Sequence, residues 1–459
     1  FYMSLDTARL ESFILEKMSK TKLPSLVISI ISGDRIVYSR AFGYRDLENF
    51  VPADTETVYG IGSITKSFTS LAIMSLVEEG KLSIYDPVDK YVPLDLRPCG
   101  EKILIWHLMT HSSGIPALAY AEAYIRSFVG EENATWLPIA SYEDMISFLR
   151  EADEWAVARP GERYFYLNEG YVLLGMIIEK VSGYKYEEYI RRRILDPLEM
   201  KRTYLYKSDV EKDPNVAIPY VVDRDGNIKR SSFPYGITSD GGLLSNAKDL
   251  SKYIMFLINR GVYNGNEIIS RKSIEEMEKI WINTGEGYYG PEGYGLGLRI
   301  IPNFFGRKLV GHGGSVLVYT AYIGYIESEK LGVVVLTNTT GYSPTFIGQY
   351  ALALALGRDP EKELRFVYYE RVYDKLVGDY VSYRSTIRTR VERRGPILYL
   401  VSKGKYTGWE LPLFPKELRE DEYIFTTPSL GVETPVEFRV RKDGSIELIY
   451  ERYKFIKVR

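Results

Sequence analysis

The chain has 459 residues, a length typical of two or three domains. Hydrophobic residues make up 45% and charged residues 26%, which excludes a disordered or collagen-like chain. The net charge of −2 and the lack of basic runs interleaved with aromatic residues argue against a nucleic-acid partner.

Cys99 is the single cysteine, so the sequence excludes an intrachain disulfide and a cysteine-rich metal site. We expect no cofactor. No apolar run approaches the ~18 residues that a membrane span needs. The absence of a cationic and apolar leader favours a cytoplasmic location, but the chain does not begin with Met and export stays open. Gln349 is the only glutamine beside abundant Lys, Glu and Tyr, which is typical of heat-adapted proteins.

The N-terminal part of the chain predicts a helix, a hairpin and a second helix. Apolar residues at helical spacing predict a helix over 5–20, and β-rich runs at 25–31 and 36–42 predict an antiparallel pair. Residues 64–79 are apolar almost all round and stop at Gly80, as a fully buried helix with a glycine cap would.

Helical patterns then dominate residues 106–198, including 171–181, while strand-like runs return between 294 and 338. Helices inserted between sheet halves predict an α+β fold, with an antiparallel sheet flanked by helices and an inserted helical subdomain. From residue 376 onward short alternating strands predict a small antiparallel barrel, with a clear hairpin at 436–450. The predicted domains are therefore 1–358 and 376–459, joined by a linker over 359–375.

Gly60-Ile-Gly-Ser63-Ile-Thr-Lys66 lies at the start of the predicted buried helix. Residues three apart on a helix share a face, so the Lys66 amine can lie beside the Ser63 hydroxyl, and a lysine kept from bulk water can act as a base. A capping serine followed by a solvated lysine gives the same pattern. This helix has almost no polar face on which a lysine could be solvated. The pattern therefore favours Ser63 as a nucleophile that Lys66 activates.

Two further motifs are weak signals when each is taken alone. The first is Tyr166-Leu-Asn168, and this chain contains 39 tyrosines. The second is Gly311-His312-Gly313-Gly314-Ser315, whose glycines would let a substrate backbone lie along an edge strand but also suit a tight turn.

Together and in this order, the three motifs resemble those of the penicillin-recognising serine hydrolases: class C β-lactamases, D-Ala-D-Ala carboxypeptidases, D-aminopeptidases and β-lactamase-like esterases. Connecting segments such as His107-Leu-Met-Thr-His111-Ser-Ser-Gly-Ile-Pro and Gly332-Val-Val-Val-Leu-Thr-Asn338 are similar as well, and the resemblance covers about residues 5–356. It implies the β-lactamase/transpeptidase-like fold.

The resemblance also implies roles for particular residues. Ser63 would attack the acyl carbonyl, Lys66 and Tyr166 would share proton transfer, and the backbone N–H groups of Ser63 and Ser315 would form the oxyanion hole.

Asn168 would hold the substrate amide, and the edge His312, Gly313 and Gly314 would align the acyl chain. One position departs from the β-lactamases and carboxypeptidases, which usually have a lysine where His312 stands. An imidazole with a pKa near ~6.5 carries charge only in mild acid, so the sequence predicts weaker recognition of a free carboxylate.

Three other patterns carry no function in this interpretation. His107 and His111 lie one helical turn apart but lack a His-Glu-x-x-His motif, so we expect structural roles and no metal. Gly-x-Ser-x-Gly is absent, which argues against an α/β-hydrolase. Gly293-Tyr-Gly-Leu-Gly297 resembles a phosphate loop, but no helix follows it and a strand is favoured.

The predicted function is a serine peptidase for small peptides, including peptides with D-residues. The resemblance supports it because D-aminopeptidases of this superfamily carry appended lipocalin-like barrels at the active-site entrance. A carboxylesterase or amidase is the first alternative, and a non-catalytic binding or assembly scaffold is the second. The surplus of tyrosine predicts a homo-oligomer, since tyrosine is enriched at interfaces.

Overall fold

The structure is a computed structural model that describes residues 5–236 and 238–458. The described residues divide into two compact units, the first ending at Gly357 and the second beginning at Arg358. The predicted domain limits at residues 1 and 459 lie outside the described part of the chain. Among the described residues, no helix is both long and apolar enough to span a membrane.

The first unit contains helices throughout the predicted helical region. Its α-helices are α1 Thr7–Thr21, α2 Thr65–Glu78, α3 Ile105–Met109, α4 Tyr120–Phe128, α5 Tyr142–Leu149, α6 Asn168–Ser182, α7 Tyr186–Ile190, α8 Lys207–Val210, α9 Ala247–Ile258, α10 Arg271–Met277 and α11 Pro344–Ala355. Its strands are β1 Ser25–Ser32, β2 Arg35–Asp46, β3 Val51–Pro52, β4 Tyr59–Gly60, β5 Tyr220–Val222, β6 Ile228–Arg230, β7 Leu244–Ser245, β8 Val262–Tyr263, β9 Asn266–Glu267, β10 Ile282–Gly287, β11 Gly290–Tyr294, β12 Arg299–Phe304, β13 Arg307–Ser315, β14 Thr320–Ile326 and β15 Leu331–Thr337.

Within the described residues, nine of these strands form one antiparallel sheet in the order β10-β11-β12-β13-β14-β15-β1-β2-β3. All seven residues of strand β15 are buried. Because neighbouring residues of a strand point to opposite faces, the sheet is covered on both faces at β15. Gly332 faces Ile254 of α9, whereas Val333 lies against Gly348 of α11. The sheet is therefore covered by helices on both sides, and the predicted α+β fold with its inserted helices is confirmed.

The local predictions in this unit hold closely. Helix α1 begins after Asp6, whose side chain accepts a hydrogen bond from the Arg9 N–H. The strands β1 and β2 are joined by a tight turn in which Gly33 has a φ of 65°. A 3-10 turn, Gly62–Ile64, leads into α2, whose first twelve residues are buried.

The second unit contains two helices, α12 Pro360–Glu363 and α13 Arg365–Leu376, followed by a closed antiparallel barrel. Its strands are β16 Gly378–Val381, β17 Arg388–Arg394, β18 Ile397–Lys403, β19 Gly408–Arg419, β20 Glu422–Ser429, β21 Val432–Val440, β22 Ile446–Tyr450 and β23 Tyr453–Lys457. Pairing of Tyr380 with Lys457 closes the barrel, as the alternating pattern predicts.

The predicted linker over 359–375 differs from the structure, because it contains all of α12 and all of α13 except Leu376. Helix α13 buries Val372, Tyr373 and Leu376 in the core of the barrel unit. Residues three and four positions apart share a helix face, so Val372 and Tyr373 both lie on the side of Leu376, and this stripe is buried rather than solvated.

Candidate active site

The start of α2 brings the Ser63 hydroxyl and the Lys66 amine together. The distance from Lys66 Nζ to Ser63 Oγ is 3.1 Å, as the spacing of three residues predicts. Lys66 is fully buried, and its Nζ also donates to the backbone carbonyl of Asp240 at 2.6 Å. The aromatic faces of Tyr166 and Tyr171 lie 4.8 Å and 5.7 Å from the same nitrogen. Lys66 is thus held beside Ser63 by a carbonyl and two rings.

Tyr166 comes from the extended segment before α6, more than a hundred residues away in the chain. Its half-buried ring lines the same cleft as Ser63 and lies against Lys66. Among the described residues, the Tyr166 hydroxyl makes no hydrogen bond. The hydroxyl is therefore not committed to another protein group.

The backbone of β13 lies directly against the segment that carries Ser63. A Cβ on Gly62 would be 2.7 Å from the Ser315 nitrogen, and a Cβ on Gly314 would be 2.0 Å from the Ile61 oxygen. Both positions need glycine for this close approach, and Gly62 also has a φ of 52°. The backbone nitrogens of Ser63 and Ser315 are thereby brought to neighbouring positions.

Asn168, the first residue of α6, lines the cleft beside Ser63 and donates to Glu122 Oε1 at 3.3 Å. The main cleft has a volume of about 690 Å³ and also contains Gly313 and Gly314. A smaller cleft of about 260 Å³ meets it at Ser63. Ser63 is therefore accessible from two sides.

His312 lines the main cleft, but its ring is buried and both ring nitrogens have partners inside the protein. Nδ1 lies 2.6 Å from the Gly313 carbonyl, so it carries the proton, and Nε2 accepts from the Tyr294 hydroxyl at 2.8 Å. Burial, together with the charges of Arg299 and Lys66, lowers the pKa of His312 well below 6.5. The prediction that His312 becomes charged in mild acid is wrong, because a buried ring beside two cations resists protonation.

Arg299 is a cationic residue of the main cleft that the sequence interpretation missed. It begins β12 and lines the main cleft with its side chain exposed. Its guanidinium lies 5.5 Å from the centre of the Tyr166 ring and 5.7 Å from that of Tyr294. Among the described residues it forms no ion pair. No motif surrounds this arginine, so only the pairing of β12 with β13 reveals its place.

Two buried carboxyl groups, of which Asp240 lies next to Lys66, also escaped the sequence interpretation. Asp240 accepts a hydrogen bond from the Tyr120 hydroxyl, and burial raises the pKa of its carboxyl despite the charge of Lys66. Glu169 accepts from the Tyr120 N–H, and burial raises its pKa to about 7. Burial therefore disfavours the ionised form of both carboxyl groups.

His107 and His111 each use one ring nitrogen to hold a backbone segment. The Nδ1 atom of His107 accepts from the Leu104 N–H, and that of His111 accepts from the Leu167 N–H, each at 2.9 Å. Among the described residues, no group of three or more candidate metal ligands is present. Each imidazole is occupied in holding backbone.

Residues 10–357 match the Beta-lactamase family, so the chain belongs to this family of serine hydrolases. Residues 360–456 match a second family, the Pab87 octamerisation domain.

Individual relatives extend the similarity to the whole chain. The octameric penicillin-binding protein homologue from Pyrococcus abyssi shares 53% identity with a TM-score of 0.95, covering 98% of this chain and all of that one. Penicillin-binding protein 4* of Bacillus subtilis (strain 168) is 28% identical over 94% of this chain and 93% of its own length. Protein flp of Staphylococcus aureus (strain MW2) is 27% identical over 74% of this chain, which spans 64% of that relative.

Proposed function

We propose that the protein is a serine peptidase that hydrolyses small peptides, including peptides with D-residues, through an acyl-enzyme on Ser63. The observation that carries this proposal is the 3.1 Å separation of Ser63 Oγ and a fully buried lysine amine. A buried amine at hydrogen-bond distance can take the hydroxyl proton as the oxygen attacks an acyl carbonyl.

Lys66 and Tyr166 act as one proton-transfer unit. The amine lies between Ser63 and the Tyr166 ring, and the phenol has no other hydrogen-bond partner among the described residues. The serine proton passes to this unit during attack, and the unit returns a proton to the leaving nitrogen when the tetrahedral intermediate collapses. Water then attacks the acyl-enzyme and gives a proton to the same unit. The unit returns a proton to the Ser63 oxygen as the acid product leaves.

The backbone N–H groups of Ser63 and Ser315 receive the developing oxyanion. The close packing of Gly62 against Ser315 supports this role, because it leaves room for no side chain between the two segments. Ser63 also precedes the N-terminus of α2, where the helix dipole favours negative charge.

Asn168 and the backbone of Gly313 and Gly314 bind the substrate's amide groups along the cleft. His312 contributes a neutral ring that supports Tyr294 at the cleft wall and carries no charge to the substrate. Arg299 pairs with a substrate carboxylate on the leaving-group side. An exposed guanidinium without an ion-pair partner favours a peptide with a free carboxylate over a neutral ester.

A fluorophosphonate probe tests the nucleophile. We expect one label on each chain, on the peptide that contains Ser63, and no label on Ser63→Ala. Ser67→Ala is the matched control, because Ser67 lies one turn further along α2 and bonds to the Ile64 carbonyl. Persistent labelling of Ser63→Ala would overturn the assignment.

A substrate panel tests the specificity. It contains L- and D-aminoacyl peptides with free and amidated C-termini, nitrophenyl esters and a chromogenic cephalosporin. We expect turnover of short peptides with free carboxylates to exceed that of neutral esters. A preference for the neutral esters would favour the carboxylesterase alternative, and Ser63 labelling without turnover of any substrate would favour a scaffold.

The protein also assembles, in our proposal, as a homo-oligomer through the barrel unit. The match of residues 360–456 to an octamerisation domain and the similarity to an octameric homologue support this. Light scattering after size-exclusion chromatography measures the assembly state, and a mass near 52.7 kDa at micromolar concentration would contradict it. In this proposal residues 1–358 form the catalytic domain, and the protein is located in the cytoplasm.

A further inference from the structure

His111 is a buried residue of the active-site region that the proposed chemistry does not use. It lies just beyond α3 with a φ of 58°, a conformation that non-glycine residues rarely adopt. Its relative exposure is 1%, yet its Nε2 atom has no hydrogen-bond partner among the described residues. A strained backbone and a buried imidazole with one unpaired nitrogen each cost stability. The contacts of His111 therefore need an explanation.

The contacts of His111 bracket Tyr166 on both sides along the backbone. The His111 carbonyl accepts a hydrogen bond from the Phe165 N–H at 2.8 Å. Its Nδ1 accepts from the Leu167 N–H at 2.9 Å. The positive φ directs the backbone and the ring of one residue to these two neighbouring groups.

The imidazole also stacks on the Tyr166 ring itself. The ring centres are 4.1 Å apart and the planes differ by 29°. Because the Tyr166 hydroxyl makes no hydrogen bond among the described residues, the phenol is oriented by its backbone and by ring contacts. His111 supplies two of the backbone bonds and the closest stack.

The charge state of the His111 imidazole also suits a residue that supports Tyr166. Since Nδ1 accepts a hydrogen bond, the ring proton is on Nε2 and the imidazole is neutral. Burial, with the charges of Lys66, His312 and Arg299 nearby, lowers the pKa of His111 well below 6.5. A neutral ring can support Tyr166 without adding a cation beside Lys66.

We propose that His111 is a positioning residue that holds the Tyr166 phenol at the Ser63–Lys66 pair through two backbone hydrogen bonds and a stacked ring. The proposal rests on the proposed role of Tyr166 in proton transfer. It assigns a function in the site to a histidine that the sequence interpretation treated as purely structural.

The test compares His111 with His107, which is also buried and also accepts a backbone N–H at 2.9 Å through Nδ1. His111→Ala should lower the saturating rate at which the fluorophosphonate phosphonylates Ser63, with loss of fluoride, by about 100-fold, since an error of ~1 Å in a catalytic group costs that much. His111→Asn should regain about tenfold, because asparagine tolerates a positive φ and its Oδ1 can accept from Leu167. His107→Ala and His107→Asn should stay within about threefold of the wild type.

A double substitution separates positioning from general damage. In a Tyr166→Phe background, His111→Ala should cost less than about threefold, because the group that it positions is already lost. A full 100-fold loss in that background would overturn the proposal, and so would an equal loss in His107→Ala.

A crystal structure of His111→Asn gives a readout that does not depend on activity. We expect the Tyr166 ring to shift or to adopt several positions, and an unchanged ring with an unchanged rate would overturn the proposal. If the probe labels a residue other than Ser63, the proposed function fails, while the position of Tyr166 in this variant still tests His111. The asparagine variant also serves if His111→Ala does not fold.

Discussion

The interiors of the two units differ in what they bury. The first unit encloses Lys66, His111, Asp240 and His312 around its cleft, whereas the barrel buries mainly aliphatic and aromatic side chains, with a few threonines and Glu447 among them. Burying a polar or ionisable group costs free energy unless partners compensate, so such groups persist where they perform chemistry. The barrel interior has the character of a packed core that stabilises its own unit.

The same difference separates the packing contacts. In the barrel, Phe438 meets Tyr380 and Phe425 edge-on at ring-centre distances of 6.0 Å and 5.6 Å. In the first unit, the Tyr166 ring meets His111, Lys66 and Arg299, each of which bears nitrogen. Aromatic packing stabilises one unit, while in the other it arranges reactive groups.

The largest expected effect concerns the reactive pair of the first unit. Lys66→Ala and Tyr166→Phe should each lower kcat/KM by roughly 10⁴-fold, and the double variant should lose little more than the worse single variant. A shared proton path is lost once either member is removed. Losses that multiply would show that the two groups act independently.

The next prediction addresses the packed core of the barrel. Phe438→Ala should destabilise the barrel unit by about 3–5 kcal/mol and weaken assembly, because the cavity cannot be filled. The control is Phe414→Ala, since Phe414 is 42% exposed. The rate of Ser63 labelling should stay unchanged, and a matching loss of labelling would mean that the barrel completes the site. Chemical unfolding and light scattering measure the first two effects.

Arg299→Ala should lower kcat/KM for peptides with a free C-terminal carboxylate by about 10–100-fold, equivalent to the roughly 1.5–3 kcal/mol of a charged hydrogen bond. Amidated analogues should change little. Since arginine stays protonated and His312 stays neutral, the wild-type preference for the acid should be flat from about pH 5 to 8.5. A preference that fades near pH 6.5 would restore the role to His312. Arg126→Ala, in the smaller cleft, is the control.

The smallest effect is a pH dependence of stability that only the first unit shows, since all three histidines lie there. Burial lowers the pKa of His107 to about 4, whereas an unfolded histidine titrates near ~6.5. As the pH falls from 6.5 towards 4, the unfolded chain binds a proton that the folded chain excludes, so stability is lost.

Relative to His107→Asn, which does not titrate, the wild type should lose about 2 kcal/mol between pH 7.5 and 5. Urea unfolding at both pH values measures the difference. Thr389→Val in the barrel should give a difference that does not change with pH. A wild-type advantage that is constant with pH would contradict a neutral, buried His107.

The sequence by itself determined the local structure and the proximity of Ser63 to Lys66. Alternation and turn residues predict the β1–β2 hairpin and the barrel strands, because these signals act over neighbouring residues. The spacing of Ser63 and Lys66 fixes their proximity once a helix forms, since three residues span less than one turn. The charged segment over 359–375 was predicted to be a linker, but most of it forms α12 and α13, and α13 packs into the core of the barrel unit.

Only the tertiary structure decided what surrounds that pair. Arg299 reaches the cleft through the pairing of β12 with β13, and His111 meets Tyr166 across 55 residues of chain. The neutral state of His312 likewise comes from its burial beside Arg299 and Lys66. Proximity between distant residues and the loss of water around a group are properties of the packed chain, so no local sequence pattern encodes them.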